Sequence, residues 1–240
     1  MENILLQETM DLVKNCLGHD LEGISIQRAV FGLFFSGVKL SDGQGGLCFT
    51  PVKDMPEAVC CPSSARAMPL SGKLCSRSAA ETLADREHPN ILRKALAIAT
   101  LNALSASCWK KSPPRNYQLK VGADVFDQVD IPKNGKTVVV GALVPMLKKL
   151  IAAEADFTVL EMDQRTLKGK ELEHYAPPTD AAKYFPHADL LVITGVTVLN
   201  DTLPELLKMV QPGAQVVVAG PTASMLPDSF FKHGVTMMGG

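Results

Sequence analysis

The chain has 240 residues, of which 46% are hydrophobic and 20% charged, and its formal net charge is −1. Because this charge is near zero and the basic residues form no run, the composition gives no electrostatic argument for nucleic-acid binding. No apolar stretch reaches the roughly 18 residues of a membrane-spanning helix, and the acidic N-terminus is unlike a signal peptide, so we expect a cytoplasmic protein.

The first half of the chain predicts a helix, a small antiparallel sheet and two further helices. Apolar residues recur at helical spacing over 3–17. Residues 24–40 are rich in β-branched and aromatic residues, and the chain turns through a glycine-rich segment to re-enter at 47–52, which is typical of an antiparallel meander. The two later helices are predicted over 76–86 and 90–107.

The second half predicts strands that alternate with helices, a pattern typical of a doubly wound, Rossmann-like parallel sheet. The strands are predicted over 136–142, 157–163, 189–194, 215–219 and 234–238, and the helices over 144–155, 203–210 and 224–233. The proline-rich stretch 110–118 separates the two patterns. We therefore predict an α/β protein with an α+β domain over 1–112, a linker over 113–134 and a Rossmann-like domain over 135–240. Because the chain stops directly after a predicted strand, we expect this domain to lack its C-terminal part.

Small polar residues follow two of the predicted parallel strands. In open α/β sheets ligands bind outside the carboxyl ends of the strands, which makes these residues the first candidates for a site. They are Thr194, Gly195, Asn200, Thr202, Gly220, Pro221, Thr222 and Ser224. Asn200 and Thr202 have an alternative interpretation as a turn and a helix cap, which stays open.

Two acidic residues, Glu161 and Asp163, fall at the end of the second predicted strand of this half. An acid there can hold a ribose hydroxyl, but the preceding loop, VVVGALVPML, has one glycine where a dinucleotide-binding loop has three. NAD and S-adenosylmethionine are therefore disfavoured. We place both acids at the margin of the ligand site, with the alternative that one serves as a base in an enzyme acting on a nucleotide-like or cofactor-precursor substrate.

All six cysteines lie in the first half of the chain, and none forms a CxxC pair. Cys60 and Cys61 are adjacent in a loop rich in proline and serine, and their thiolates are candidate ligands for a soft metal. The alternative is that both are small buried apolar residues.

Four segments together resemble the heavy-metal chelation domain family of bacteria and archaea. They are AIATLNAL with Asn102, VVVGALVPMLKKL, ITGVTVLNDTLPELL and VVAGPTASMLPDSFFKHGVTMMGG. The resemblance implies an N-terminal domain like that of enolase, a Rossmann-like domain, and an active site in the cleft between them. The positions that match the family are Asn102, Gly141, Thr194, Gly195, Asn200, Thr202, Gly220, Pro221 and Pro227.

The resemblance implies chelation or handling of heavy metals, or of a metal-containing cofactor or its precursor. Neutral amides, hydroxyls and turn backbone suit an organic anion or a metal chelate better than a bare ion, because heavy transition metals select thiolate and imidazole ligands. We therefore expect a small ligand in the interdomain cleft, with Asn102 reaching in from the first domain. The identity of any metal, catalysis and a homo-oligomeric state are left open.

Overall fold

The computed structural model describes residues 3–52, 70, 72–114 and 116–240. The chain divides into two compact units. The first unit comprises Met1–Leu119 and a return segment, Pro221–Ser229, and the second comprises Lys120–Gly220 and Phe230–Gly240. The first division falls inside the predicted linker, whereas the return segment comes from the predicted second domain.

The first unit contains helices around a three-stranded antiparallel sheet of order β1-β2-β3. Its elements are α1 (Ile4–Leu17), β1 (Ile26–Phe31), β2 (Phe35–Leu40), β3 (Gly45–Phe49), α2 (Ala79–Leu83) and α3 (Ile91–Lys111). Asparagine begins both long helices: the side-chain oxygens of Asn3 and Asn90 accept hydrogen bonds from first-turn backbone N–H groups. The last residues of α3 lie directly before Pro113, which cannot continue a helix.

Strand β3 packs very closely on α3. A Cβ atom at Gly46 would lie 2.1 Å from the carbonyl oxygen of Ala99 and 2.5 Å from the backbone nitrogen of Ala103. Glycine is therefore required at this contact, because both neighbouring atoms belong to the backbone of the helix.

The second unit is built on a six-stranded sheet in which every neighbouring pair is parallel. Its elements are β4 (Lys136–Val140), α4 (Val144–Ala152), β5 (Asp156–Leu160), β6 (Tyr175–Ala176), α5 (Ala181–Tyr184), β7 (Leu190–Thr194), α6 (Val196–Leu199), α7 (Leu203–Leu207), β8 (Gln215–Ala219) and β9 (Met237–Gly239). The helix α8 (Asp228–Lys232) begins in the return segment of the first unit and ends in the second unit. Central residues such as Val139, Val192 and Val217 are fully buried, as expected for parallel strands covered on both faces.

The strand order in the second unit is β6-β5-β4-β7-β8-β9. This is the doubly wound order, in which the chain first builds outward from β4 on one side and then continues on the other side from β7. The order reverses between β4 and β7, and such a reversal leaves a crevice at the carboxyl ends of the two strands.

The predicted fold class is confirmed: an N-terminal α+β part is followed by a C-terminal parallel sheet. Several details differ from the predictions: the helices over 76–86 and 203–210 are only Ala79–Leu83 and Leu203–Leu207, and the strand over 157–163 is Asp156–Leu160. The two-residue strand β6 was missed because it is too short to show any periodicity. The helix predicted over 224–233 is only Asp228–Lys232, because Pro227 disfavours helical backbone at the residue before it. Within the described residues no helix combines the length and the apolar character needed to cross a bilayer.

Candidate functional site

The carboxyl ends of β4 and β7, at the reversal of strand order, form the candidate site. Gly141 directly follows β4, and Thr194 is the last residue of β7; both are partly exposed. Gly141 has a φ of +91°, and a Cβ atom on it would lie 2.9 Å from the Cγ2 atom of Thr194. The glycine thus permits a backbone conformation and a close side-chain approach that other residues would disturb.

The loop after β4 is held by Glu161. One carboxylate oxygen of Glu161 accepts a hydrogen bond from the backbone nitrogen of Ala142 at 2.8 Å, and the other accepts from the backbone nitrogen of Asp163 at 3.0 Å. The loop itself turns tightly, since the N–H groups of Leu143 and Val144 donate to carbonyls two residues earlier. Glu161 therefore shapes this edge of the sheet, and both of its oxygens have structural partners.

Asp163 has a local role. It accepts a hydrogen bond from the backbone nitrogen of Arg165 at 3.1 Å and from the Arg165 guanidinium at 2.8 and 3.0 Å. This contact raises the pKa of Arg165 above its ordinary value. The carboxylate of Asp163 is thus already paired with a cation and begins a short turn.

The next strand ends extend the same edge. The backbone nitrogen of Gly195 donates to the carbonyl of Ala219 at 2.7 Å, and that of Gly220 donates to Gly239 at 2.7 Å. Gly220 has a φ of +116°, where side chains other than hydrogen are strained. Gly141, Thr194, Gly195 and Gly220 therefore lie along the ends of three adjacent strands.

The Thr194 hydroxyl is the most available polar group at this edge. Its oxygen accepts from the backbone nitrogen of Val196 at 3.4 Å, a long contact, and its proton is donated to no residue in the part of the chain that the structure describes. The Thr194 carbonyl accepts from the Thr197 hydroxyl at 2.7 Å. The hydroxyl can therefore donate to an oxygen of a bound ligand.

Asn200 and Thr202 form a local turn. The side-chain oxygen of Asn200 accepts from the Thr202 hydroxyl at 2.7 Å and from its backbone nitrogen at 3.2 Å. Asp201 between them has a φ of 61°, in the left-handed region. Both side chains are exposed. This geometry is that of the turn interpretation, since the two side chains satisfy each other.

The remaining predicted residues belong to the first unit. Asn102 is 2% exposed, and its Nδ2 atom donates to the carbonyls of Leu47 at 2.7 Å, Pro221 at 3.0 Å and Thr222 at 3.1 Å. The Thr222 hydroxyl accepts from the backbone nitrogen of Phe49 at 2.9 Å, and the Ser224 hydroxyl donates to Pro221 at 3.0 Å. These residues fasten the return segment to β3 and α3.

Cys60 and Cys61, the predicted metal ligands, lie outside the described residues. Among the residues that are described, no three side chains of His, Cys, Asp or Glu are grouped so as to hold a metal ion. The prediction of a thiolate site at Cys60 and Cys61 stays a prediction.

One feature of the site, the contact of Glu161 with Ala142, was not predicted as such. The glutamate stands at a strand end in the sequence, but its partner is 19 residues away, across the neighbouring strand. The pairing follows from the adjacency of β4 and β5 in the sheet, and strand order leaves no direct signal in one sequence.

Two family models match the chain, and both carry the description "Putative heavy-metal chelation". One covers residues 14–105 and the other residues 124–240, so that together they span most of the chain. The chain belongs to this family. The resemblance stated from the sequence is therefore confirmed, and the two matches fall on the N-terminal α+β part and the parallel sheet respectively.

Relatives of this heavy-metal chelation family member include an uncharacterized protein from Methanocaldococcus jannaschii. It is 29% identical over 154 residues, which are 61% of this chain and 53% of the relative. The chain thus matches about half the length of that curated relative.

Two solved structures of proteins with unknown function share the fold. The one from Pyrococcus horikoshii has a TM-score of 0.69 at 17% identity, covering 94% of this chain and 82% of that chain. The one from Desulfitobacterium hafniense has a TM-score of 0.68 at 18% identity, covering 96% and 86%. Both belong to the same family, and at these identities they establish the architecture alone.

Proposed function

We propose that the protein binds a small organic ligand, either a heavy-metal chelate or its free chelator, at the carboxyl ends of β4 and β7. The observation that carries the proposal is the Gly141–Thr194 contact at the reversal of strand order. Ligands of doubly wound sheets bind at this position. The family description, heavy-metal chelation, supplies the class of ligand.

The donors at this edge favour a chelate over a bare ion. Thr194 offers a neutral hydroxyl, whereas the backbone N–H groups of Gly195 and Gly220 are already paired with backbone carbonyls. Heavy transition metals prefer thiolate and imidazole ligands, whereas a hydroxyl proton binds a carboxylate or carbonyl oxygen well. A chelator whose oxygens surround the metal presents such acceptors on its outer surface.

In this proposal the Glu161 carboxylate does not contact the ligand but orders the loop after β4. Both of its oxygens accept backbone N–H groups, at 2.8 and 3.0 Å, and this holds the loop after β4. A pre-ordered loop lowers the entropic cost of binding. Asn102, Thr222 and Ser224 are assigned a structural role in the first unit, because their hydrogen bonds are made to protein backbone.

The test is a thermal-shift and calorimetric titration with Ni²⁺, Co²⁺ and molybdate, each alone and together with citrate, and with citrate alone. A ligand that binds only the folded state raises the melting temperature. We expect a metal–citrate probe to give a larger shift than the same metal alone. The proposal is wrong if no probe shifts the transition and native mass spectrometry finds no co-purified organic species.

Thr194→Val tests the hydroxyl directly. We expect about a tenfold loss of affinity for the best probe, the equivalent of one hydrogen bond. Thr158→Val, at a half-buried threonine in the middle of β5, is the matched control and should bind like the wild type. Equal affinities for the two variants would contradict the role of Thr194.

Gly141→Ala tests the close contact between Gly141 and Thr194. Gly213 has a φ of +88°, close to the +91° of Gly141, but a Cβ on Gly213 would meet nothing within 4 Å. Gly213→Ala therefore carries the same backbone strain without the clash against Thr194. We expect only Gly141→Ala to abolish the probe-induced shift, whereas loss of the shift in both variants would point to strain alone.

A further inference from the structure

A cavity lies within the first unit, between α1 and the end of α3. Its volume is about 180 Å³, and its wall includes Leu12, Cys16, Cys108, Trp109, Tyr117 and Asp228. Ser112 and Asn116, which also line it, are exposed. The rim is therefore open to solutes, and none of these residues takes part in the strand-edge site.

Two cysteines from different helices line this cavity. The Sγ atom of Cys16, on α1, lies 4.0 Å from the carbonyl oxygen of Cys108, on α3, although the residues are 92 positions apart. Both cysteines are free thiols. Cys16 is partly exposed and Cys108 is 2% exposed. The pair is thus reached through Cys16.

Burial raises the pKa of the Cys108 thiol, and the neighbouring Cys16 raises it further. The larger part of the second effect is a hydrogen bond between the two thiols, which requires the two side chains to be close. The Cys108 thiol is therefore protonated at neutral pH, and a soft cation that binds it must displace the proton.

The other charges around the thiols are compatible with a bound cation. Burial raises the pKa of Tyr117, and the carboxylate of Asp228, on the same cavity wall, raises it further. Lys111 is the basic group whose charge reaches both thiols. Its ammonium group is held by the carbonyl of Leu17 at 3.1 Å and by Asp20 at 2.7 Å.

We propose that Cys16 and Cys108 together bind one thiophilic divalent cation, of the type of Hg²⁺ or Cd²⁺, with release of two thiol protons. Soft thiolate ligands select soft metals. Each sulfur gives up its proton to solvent and donates an electron pair to the metal, so that no oxidant or reductant is needed. This is a direct metal site in the first unit, and it does not depend on the chelate site proposed at β4 and β7.

A fluorescent residue in the cavity can report metal binding. Trp109 is the single tryptophan of the chain. It lines the same cavity, and its Nε1 atom donates to the Tyr117 hydroxyl at 2.7 Å. A heavy cation bound at the thiol pair is therefore expected to quench tryptophan emission, whereas binding at a distant cysteine is not.

The experiment titrates the reduced full chain with Hg²⁺ and Cd²⁺, in the presence of excess 2-mercaptoethanol, while tryptophan emission and thiolate-to-metal absorption are followed. The monothiol competes well with single cysteines but poorly with a pair, because the second protein thiol binds intramolecularly. We expect the tryptophan quenching to saturate with one metal bound per pair of Cys16 and Cys108. Cys16→Ser and Cys108→Ser should each weaken the quenching roughly 100-fold.

Two control variants complete the design. Cys75→Ser removes an exposed thiol, and the double variant Cys60→Ser/Cys61→Ser removes the vicinal pair. Cys75→Ser should titrate like the wild type, and the double variant should keep the full tryptophan quenching. Cys16 is partly exposed, so Cys16→Ser should fold even if Cys108→Ser does not. Unchanged quenching in Cys16→Ser, or its loss only in the double variant, would overturn the proposal. Thr194→Val should leave this quenching intact, which separates the test from that of the chelate site.

Discussion

The polar side chains of the two units find their partners in different ways. In the first unit two buried side chains of α3 reach far along the chain: Asn102 bonds to residues 55, 119 and 120 positions away, and Ser105 accepts from Leu226, 121 positions away. At the strand ends of the second unit, most partners are two or three positions away, as in the turn of Asn200 and Thr202.

This difference separates residues that hold the fold from residues that are available to a ligand. A buried amide bonded to distant backbone stabilises the packing of the segments it joins, and its loss leaves carbonyls unpaired. An exposed side chain that is satisfied by its neighbours contributes little to stability. Each prediction below therefore compares a residue that holds the fold with a more exposed residue of the same type.

The largest effect is expected at the contact of β3 with α3. Gly46→Ala would place a Cβ 2.1 Å from the Ala99 carbonyl oxygen, whereas the nearest atom to a Cβ at Gly45 is 3.5 Å away. Because helix backbone cannot yield locally, we expect Gly46→Ala to lose more than about 3 kcal/mol of unfolding free energy. Urea denaturation of both variants measures this. A loss as small as that in Gly45→Ala would show that β3 can move away from α3.

Asn102→Ala is expected to cost about 3 kcal/mol, because three backbone carbonyls, one of them buried, lose the donor that joins their segments to α3. Asn200→Ala should cost less than about 1 kcal/mol, since it removes only an exposed turn contact. The measurement is urea denaturation at neutral pH. Similar costs for the two variants would remove the distinction between the units.

The ion pairs of Asp85 and Asp163 allow the same comparison for a charged side chain. Burial alone would raise its pKa, but the hydrogen bonds and charges of Arg93 and Arg77 outweigh burial and hold the pKa below its ordinary value. A lowered pKa contributes stability that is present above the unfolded-state value, about 3.9, and is lost as the pH falls through the folded-state value. Asp85→Asn should therefore cost about 2 kcal/mol at neutral pH.

The cost of Asp85→Asn should begin to shrink as the pH falls below about 4 and should disappear below the lowered folded-state pKa, where the wild-type carboxylate is protonated as well. Asp163→Asn is the control, since its partner Arg165 is exposed and the pair is local. The unfolding free energies of the wild type and of both variants at pH 7, 5 and 3 test this prediction. A difference between wild type and Asp85→Asn that stays constant with pH would contradict the role of the carboxylate charge.

The smallest effect is expected at alkaline pH. Burial raises the pKa of Cys48 to about 12. Its stabilising contribution is full below the unfolded-state pKa and is lost as the pH rises toward the folded-state value. Above about pH 9 the unfolding free energy of the wild type should therefore fall by up to about 1.4 kcal/mol per pH unit because of Cys48.

Cys48→Ala should flatten this alkaline decline, and Cys75→Ala, at an exposed cysteine, should leave it unchanged. Urea denaturation at pH 8 and pH 10 gives the slopes. Parallel slopes in all three proteins would show that Cys48 does not remain un-ionised in the folded state.

Much of the fold could be predicted from local pattern. The buried runs ending at Thr194 and Ala219 predict parallel strands because such strands are covered on both faces, and the strand predicted over 215–219 has these bounds in the structure. The two-residue strand β6 and the order β6-β5-β4-β7-β8-β9 could not be predicted in this way. Strand order is set by packing among whole elements, which no single window of sequence records.

The candidate site was predicted in part. Gly141 and Thr194 were both named, but their contact depends on the adjacency of β4 and β7. Asn102 was noticed as an amide in an aliphatic helix, yet its three acceptors lie on β3 and the return segment. The thiol pair of Cys16 and Cys108 has no spacing signal at all, since it joins two helices 92 positions apart.

By itself the sequence determined the helices, the strands and the turns whose partners are close along the chain, because burial periodicity and short-range hydrogen bonds depend on spacing alone. The tertiary structure decided which polar residues fasten the interior and which stand at the open edge of the sheet. The role of a polar residue depends on which distant segment packs against it. Its hydrogen-bond partner on that segment is therefore determined only when the whole unit has packed.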